Sequence, residues 1–486
     1  MKPIVSLLIV LLLLENVNSA ADLKAGAATS NITPPLGLPI IGGFSPAPST
    51  QIHDELHARC LVLDDGETKL ALVICDLLGV HYLVSQEARR QIEETLQIPP
   101  ANVLIAATHT HSASSALGTD RLRYEQKLDD YQKFVATRIA DGVRRAAGNL
   151  RPAELAFGSV DVPEHVNNRR WFMRPGTMPV NPFGATDEKV KMNPPGGSPD
   201  LIEPAGPIDP QVSILSVREV TEDQKVGRPI ALFATYSLHY VGGVSGLSIS
   251  ADYFAMFAAE LERQLQAERL DPPFVGAMFN GTSGDINNNN FVSPRKVRRA
   301  PYEQMHYVAN DVAAKVAAAT SSLKYAKNVP LAARYREPQI AWRHPSPEQI
   351  AWAKKTLDDP GAAPNRTTSP VYAERFLRLA DYPETGAVPV QVLRIGDVVV
   401  GTMPCEVFAE IGLEFRKRSP QQPAFMVSLA HGYFGYLPTP RHFELGGYET
   451  WLGTNRLEPQ ASVKLMNELL DMAAEVRNSS PPTNPK

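Results

Sequence analysis

Two histidines stand one residue apart at the end of an apolar run: NVLIA leads into ATHTHSASS, with imidazoles at His109 and His111. Histidine is scarce here, 11 in 486 residues. On a strand, residues two apart face the same side, so both rings can reach one site. Neutral imidazole binds divalent metals and exchanges protons near neutral pH. A histidine pair at a strand end is also a common hydrogen-bonded surface feature, so the spacing alone does not choose between the two.

Other apolar runs end in similar chemistry. ALFATYSL is followed by His239, and VGAMFN by GTSGD with Ser283 and Asp285. VVVGTMP leads through Cys405 to Glu406, and FMVSLA to His431, Tyr433 and Tyr436. In α/β proteins, ligands sit beyond the carboxyl ends of strands. Five such ends, each with a metal-ligating or proton-moving residue, point to one shared site. Imidazole, carboxylate and phenolate suit zinc, and a catalytic zinc keeps one position open for water. The bland alternative is a buried polar network that satisfies strand ends.

The elements that must position these groups alternate. LALVICDLL reads as strand, VSQEARRQIEETLQ as a helix stopped by IPP, and NVLIAAT as strand again. PIALFATYSLH and PFVGAMFNG are strands around the helix DYFAMFAAELERQLQAE. YEQMHYVANDVAAKVAAATSSLK reads as the longest helix. VPVQVLRIGDVVVGTMP, the helix VFAEIGLEFRKR and the strand PAFMVSLAHGY close the pattern. The expected fold class is α/β, with mixed β-sheets flanked by α-helices and the site at strand ends. Residues 174–210, rich in proline and glycine, offer no core face and read as a lid, binding loop or insertion. Residues 479–486 read as a flexible tail, and no boundary divides residues 21–478.

The first 20 residues carry one lysine, an apolar run from Ile4 to Leu14, and small residues before Ala20. That run is too short to span a bilayer and reads as a signal peptide, so the expected location is exported, periplasmic or secreted. No later segment reads as transmembrane. Hydrophobic residues make up 43%, charged residues 21%, and the net charge is −4, with no basic stripe to recruit nucleic acid. Three cysteines are no disulfide framework; Cys60 and Cys75 either pair or remain buried thiols.

ATHTHS resembles the histidine motif of the neutral (alkaline, non-lysosomal) ceramidase family. LKAGAATSNITPPLGLPIIGGF resembles that family's opening segment, and IHDELHARCLVLDDG its next strand pair. VNNRRW, DPQVSILSV, SLHYVGG, SISADY, NGTSGDINNNN, MPCEVF and HGYFGYLPT follow in the family's order. The resemblance implies the family's catalytic domain with its zinc site. It puts zinc ligands at His109, His239, Glu406 and Tyr436, a substrate-facing histidine at His111 and the active-site arginine at Arg169, with Arg170 as the neighbouring register. Asp285, Ser283, Tyr433 and Tyr448 become candidates for supporting the ligands or lining the substrate site. Two departures stand out. Gly281 occupies the position of the serine often assigned as the ceramidase nucleophile, and the chain ends soon after the tyrosine motif, without the family's C-terminal β-sandwich.

Other residues have plainer readings. Asp252 suits a helix N-terminus, Cys405 a core position, and Trp451 aromatic packing; His431 and His442 are candidates by proximity alone. The resulting expectation is a zinc-dependent amidohydrolase acting on linear, ceramidase-like amides through a metal-activated water, with His111 and Arg169 at the oxyanion. A small-molecule or lipid-like substrate, with peripheral membrane contact, goes with it. The alternatives are a zinc esterase, lactonase or deacylase acting on envelope or carbohydrate-derived material, and a non-catalytic exported binding protein.

Overall fold

The computed structural model describes residues 22–478, apart from 45, 115, 119–121, 123–126, 222–226 and 294–298. The expected leader and tail therefore lie outside the described residues. Among the described residues, no helix is long and apolar enough to cross a membrane.

An eight-stranded mixed sheet is built from β1 (Lys24–Asn31), β2 (His57–Asp64), β3 (Lys69–Cys75), β4 (Val103–Ala107), β5 (Arg151–Asp161), β6 (Gln211–Glu219), β7 (Pro229–Tyr236) and β8 (Val275–Asn280). Its order is β8-β7-β6-β5-β1-β2-β3-β4. Neighbours are antiparallel except for the β3/β4 and β7/β8 pairs. A second sheet, ordered β9-β10-β11-β12, uses Leu331–Arg336, Val390–Ile395, Val398–Thr402 and Ala424–Val427. Its β11/β12 pair is parallel.

Helices cover both outer faces. α1 (Tyr82–Leu96) and α2 (Asp130–Gly148) pack with Val62 and Val73 through Val84 and Ile139. α3 (Tyr253–Gln264) and α4 (Glu303–Thr320) pack with Ile214 and Leu232 through Phe257 and Val312. On the second sheet lie α5 (Pro347–Asp358), α6 (Ser369–Ala380) and α7 (Ala409–Arg418), followed by the short α8 (Pro440–Leu445) and α9 (Ala461–Asn478). The two sheets bury Leu61, Leu72, Phe233, Val400 and Phe425 between them. Central strands therefore have apolar partners on both faces, which is why β2 and β3 read as nearly continuous hydrophobic runs.

Local signals set the helix ends. Asp129 and Gln132 form a capping box at the start of α2, as Ser346 and Gln349 do for α5. Gln97, in the left-handed region, ends α1 just before Pro99 and Pro100. The helix expected to be longest, α4, has 18 residues against 19 in α2. Cys60 and Cys75 are free, buried thiols. Residues 174–210 are not a structureless insertion: Val190–Met192 and Leu201–Pro204 flank Arg170–Met173 in a three-stranded sheet.

Three parallel crossovers, β3-α1-β4, β7-α3-β8 and β11-α7-β12, aim their strand ends at one place. The large sheet bends enough for its opposite edges to touch, β8 meeting β3 and β4. Asn280, ending β8, donates through Nδ2 to the Thr108 carbonyl at 2.8 Å and the His239 carbonyl at 3.1 Å, and accepts from Ser283 Oγ at 2.6 Å. The segment after β12 stitches both edges: Ser428 N–H donates to the Asn280 carbonyl at 3.0 Å, Ala107 N–H to the Leu429 carbonyl at 3.2 Å, and His431 N–H to the Ile105 carbonyl at 2.7 Å.

Replacing Asn280 by alanine strands three buried partners. Asn280→Ala should cost about 1–3 kcal/mol or more of stability, read as a lowered urea midpoint. An unchanged midpoint would show that the edges hold without it.

Candidate metal centre

Past Ala107 the chain leaves β4 and turns. His109 has φ of 71°, in the left-handed region, a costly conformation for a residue with a β-carbon. Its N–H donates to the Leu77 carbonyl at 2.9 Å and its Nδ1 to the Leu78 carbonyl at 2.7 Å. A carbonyl can only accept, so the proton sits on Nδ1 and the Nε2 lone pair faces inward. This amends the expectation of two rings on one pleat. The strand stops at Ala107, and the turn brings the rings together edge to face, with centroids 4.8 Å apart. His111 Nε2 lies 3.1 Å from His109 Nε2, and its ring stacks on Tyr240 at 3.8 Å.

His239 follows β7, and its Nδ1 donates to the Ser283 carbonyl at 3.0 Å, so its Nε2 also carries the lone pair. Glu406 and Tyr436 are direct partners in a short parallel ladder, Glu406–Val407 against Tyr436–Leu437. Glu406 Oε1 accepts from the Tyr433 hydroxyl at 2.7 Å. Glu406 Oε2 lies 3.3 Å from His109 Nε2 and 3.5 Å from His239 Nε2. One ligand atom from each of His109, His111 and His239 lies within 4.8 Å of the others, so His111 is by position a further donor.

Among the described residues, His239 Nε2 and Glu406 Oε2 have no hydrogen-bond partner, although both are enclosed. Buried polar atoms are rarely left so, because each forfeits its hydration. The spacing supplies the explanation. Two ligand atoms about 2.0–2.1 Å from a tetrahedral cation lie roughly 3.3 Å from each other. The residues present thus fit a divalent ion, through imidazole Nε2 and carboxylate oxygen.

The electrostatics agree. Burial, then the Arg169 charge and His109, hold His239 well below its ordinary value, so it stays neutral. Burial alone would raise the Glu406 carboxyl; a proton on the facing His109 or His239 ring, together with the Tyr436 hydroxyl, would outweigh it and hold the group below the usual carboxylate range. Burial pushes the Tyr436 phenol well above its ordinary value, and Arg169 opposes that rise.

Arg169 sits behind Tyr436 rather than on the cavity wall. Its Nη2 donates to the Tyr436 oxygen at 2.9 Å and the Gly284 carbonyl at 2.8 Å, and its Nε to Glu449 at 3.0 Å. Glu449, fully buried, also takes Arg170 Nη1 at 2.5 Å. Asp285 accepts from Asn168 Nδ2 at 2.7 Å and from the Ala409 N–H opening α7 at 2.9 Å. Ser283 lies on the Nδ1 side of His239, away from the ligand edge. Tyr448 lines the cavity, edge-on to Tyr436 at 5.7 Å. His431 is drawn off to Arg89 and Gln391, and His442 to Glu410. Asp252 caps α3, Cys405 is a core thiol, and Trp451 donates to Glu188 at 2.5 Å.

A side chain at Gly281 would force Ser237 to shift. A β-carbon there would lie 2.6 Å from Ser237 Oγ and 3.0 Å from the Ser237 nitrogen. The cavity at the centre, about 70 Å³, also meets Arg375 and Arg456. Sequence reading did not single these out, nor Tyr240, Glu449 or Asn280. Arg375 lies in RFLRLA and Arg456 in GTNRLEP, and neither stretch carries a local signal of function. Asn280 alone had one, as the last residue of an apolar strand.

The model for neutral/alkaline non-lysosomal ceramidase, N-terminal, matches residues 24–300, more than half of the chain. That stretch holds His109, His111, Arg169, His239 and Asp285; Glu406 and Tyr436 lie beyond it. No curated protein matches. Among solved structures, neutral ceramidase from Pseudomonas aeruginosa is similar, with a TM-score of 0.65 at 17% identity, covering 96% of this chain and 77% of that one. A ceramidase complexed with C2 is similar to the same extent, with a TM-score of 0.65 at 16% identity over the same shares. These likenesses speak for the fold, and with the family match they lead to one conclusion: the chain belongs to the neutral/alkaline non-lysosomal ceramidase family.

Proposed function

We propose that this protein is a zinc-dependent hydrolase of linear N-acyl amides, in which water rather than an enzyme side chain attacks the carbonyl. One observation carries the reading: two enclosed, unpartnered ligand atoms, His239 Nε2 and Glu406 Oε2, stand at ligand spacing beside His109 Nε2. His109, His239, Glu406 and Tyr436 would hold the ion. When bound, zinc supplies Lewis acidity toward a carbonyl and a nucleophile at neutral pH.

The chain's own groups do the rest. With His109 Nε2 engaged by the ion, the His111 Nε2–H would lose its present acceptor and be available to the cavity that His111 lines. There it donates to the carbonyl oxygen as negative charge develops, or protonates the leaving amine. Tyr433 ties down Glu406 Oε1, so the carboxylate presents Oε2. Arg169 acts through Tyr436 as a positioning residue, its charge favouring electron density on the phenol oxygen. An apolar groove of about 520 Å³, with Leu38, Ile41, Tyr131 and Phe134 in its walls, supports a lipid-like acyl group. Its wall residue Ile41 donates its N–H to the carbonyl of Ala113, two residues after His111.

Metal content and turnover of variants test this together. His239→Ala and Glu406→Gln should purify without stoichiometric zinc and lose hydrolysis of a short N-acyl amide. Tyr433→Phe should keep the ligands and weaken zinc affinity about 10–100-fold, measured by competition with a chelator. Full metal and turnover in the first two variants would refute the assignment.

The attacking group can be tested separately. Gly281→Ser should destabilise the fold by about 1–3 kcal/mol through overpacking against Ser237, with no gain in rate. The wild-type protein quenched during turnover should show no acyl adduct by intact mass. A stable adduct on any serine would overturn the water route.

A further inference from the structure

The cavity at the metal centre meets a cation that the hydrolytic chemistry leaves unused. Arg375 projects from α6, is 6% exposed, and lines the cavity with His109, Glu406 and Tyr448. Its partners are neutral. Nη1 donates to Thr454 Oγ1 at 3.2 Å, and the guanidinium carbon lies 5.5 Å from the Phe44 ring centre and 4.9 Å from that of Tyr372. Its stem packs against Gly453, where a β-carbon would come within 2.9 Å. Among the described residues, no carboxylate pairs with it. Arg169 and Arg170, by contrast, both pair with the Glu449 carboxylate.

A guanidinium cannot shed its charge, and burying it without a counter-charge is unfavourable. Cation–π contacts and one hydroxyl offset part of that cost. A planar fork with free donors facing a cavity suits a carboxylate. Arg375 and the ligand candidates His109, Glu406 and Tyr436 line the same cavity of about 70 Å³, with Phe44 and Tyr448 also in its wall. An anionic group at Arg375 would therefore share one small cavity with a scissile amide at the metal.

We propose that Arg375 receives a carboxylate of the substrate, so that the favoured substrate class is an N-acyl amino acid rather than a neutral N-acyl amide. This rests on the reading of the centre as an amide hydrolase. Arg375 becomes a specificity-determining residue, holding the leaving-group side while the metal ligands address the carbonyl.

Two substrates of equal acyl length separate the possibilities: N-dodecanoylglycine, ending in a carboxylate, and N-dodecanoylethanolamine, ending in a hydroxyl. With the zinc-loaded full chain, kcat/KM should favour the glycine conjugate by roughly 10- to 100-fold, the range of a charge-assisted hydrogen-bonded pair. In Arg375→Met that ratio should collapse towards one, chiefly through KM, while Arg375→Lys keeps part of it. Equal kcat/KM in the wild type, or a preference that survives Arg375→Met, would overturn the proposal. Calorimetric binding of both compounds to the wild-type protein and to Arg375→Met decides the matter without turnover. Tighter binding of the glycine conjugate to the wild type that is lost in Arg375→Met supports the carboxylate site even where neither compound is cleaved, a result that would count only against the hydrolase reading. Equal binding to the wild type, or a preference that persists in Arg375→Met, overturns the carboxylate site whatever the activity.

Discussion

Two imidazole nitrogens, His109 Nε2 and His239 Nε2, are held 3.3 and 3.5 Å from a third electron-rich atom, Glu406 Oε2, and all three side chains are buried. Two of them lack any partner among the described residues. Packing lone pairs against one another is unfavourable unless a positive charge joins them. Everything around them removes their freedom to escape. The Leu78 and Ser283 carbonyls hold each imidazole by its other nitrogen, and Tyr433 holds the second carboxylate oxygen. A ligand set fixed by its surroundings gives up little entropy on binding.

Bringing the atoms together is a task for the whole fold, because the three residues come from two sheets. His109 and His239 follow strands near opposite edges of the large sheet, and Glu406 follows a strand of the small one. The bend that lets β8 meet β4, and the stitching by residues 428–431, convert distant sequence positions into neighbours. Exposed sheet edges are ordinarily a liability. Here the edge groups are consumed by the segment that leads on to Tyr433 and Tyr436. The positive φ at Leu429 and His431 marks the turn that this requires.

Much of this was readable in the chain. Apolar runs marked the strands that carry His109, His239, Glu406 and Tyr436, and the crossover helices α1, α3 and α7 showed their periodicity. What escaped was set by tertiary contact. The left-handed turn at His109 has no glycine or asparagine to announce it. Arg375 and Arg456 reach the cavity from stretches whose own pattern says nothing about a site. The segment 174–210 reads as loop, yet Glu188 within it anchors Gly447 and Trp451, contacts that only the folded chain creates. Gly281 could be read as a departure from the family's serine, but not that Ser237 fills the space a side chain would need.

The proposed ion can be sought by anomalous diffraction at the zinc edge, using crystals of the full chain grown with zinc. A single strong peak at bonding distance from His109 Nε2, His239 Nε2 and Glu406 Oε2 is the required result. Zinc found only at surface carboxylates, with that pocket free of anomalous signal, would contradict the assignment of these residues as a metal centre.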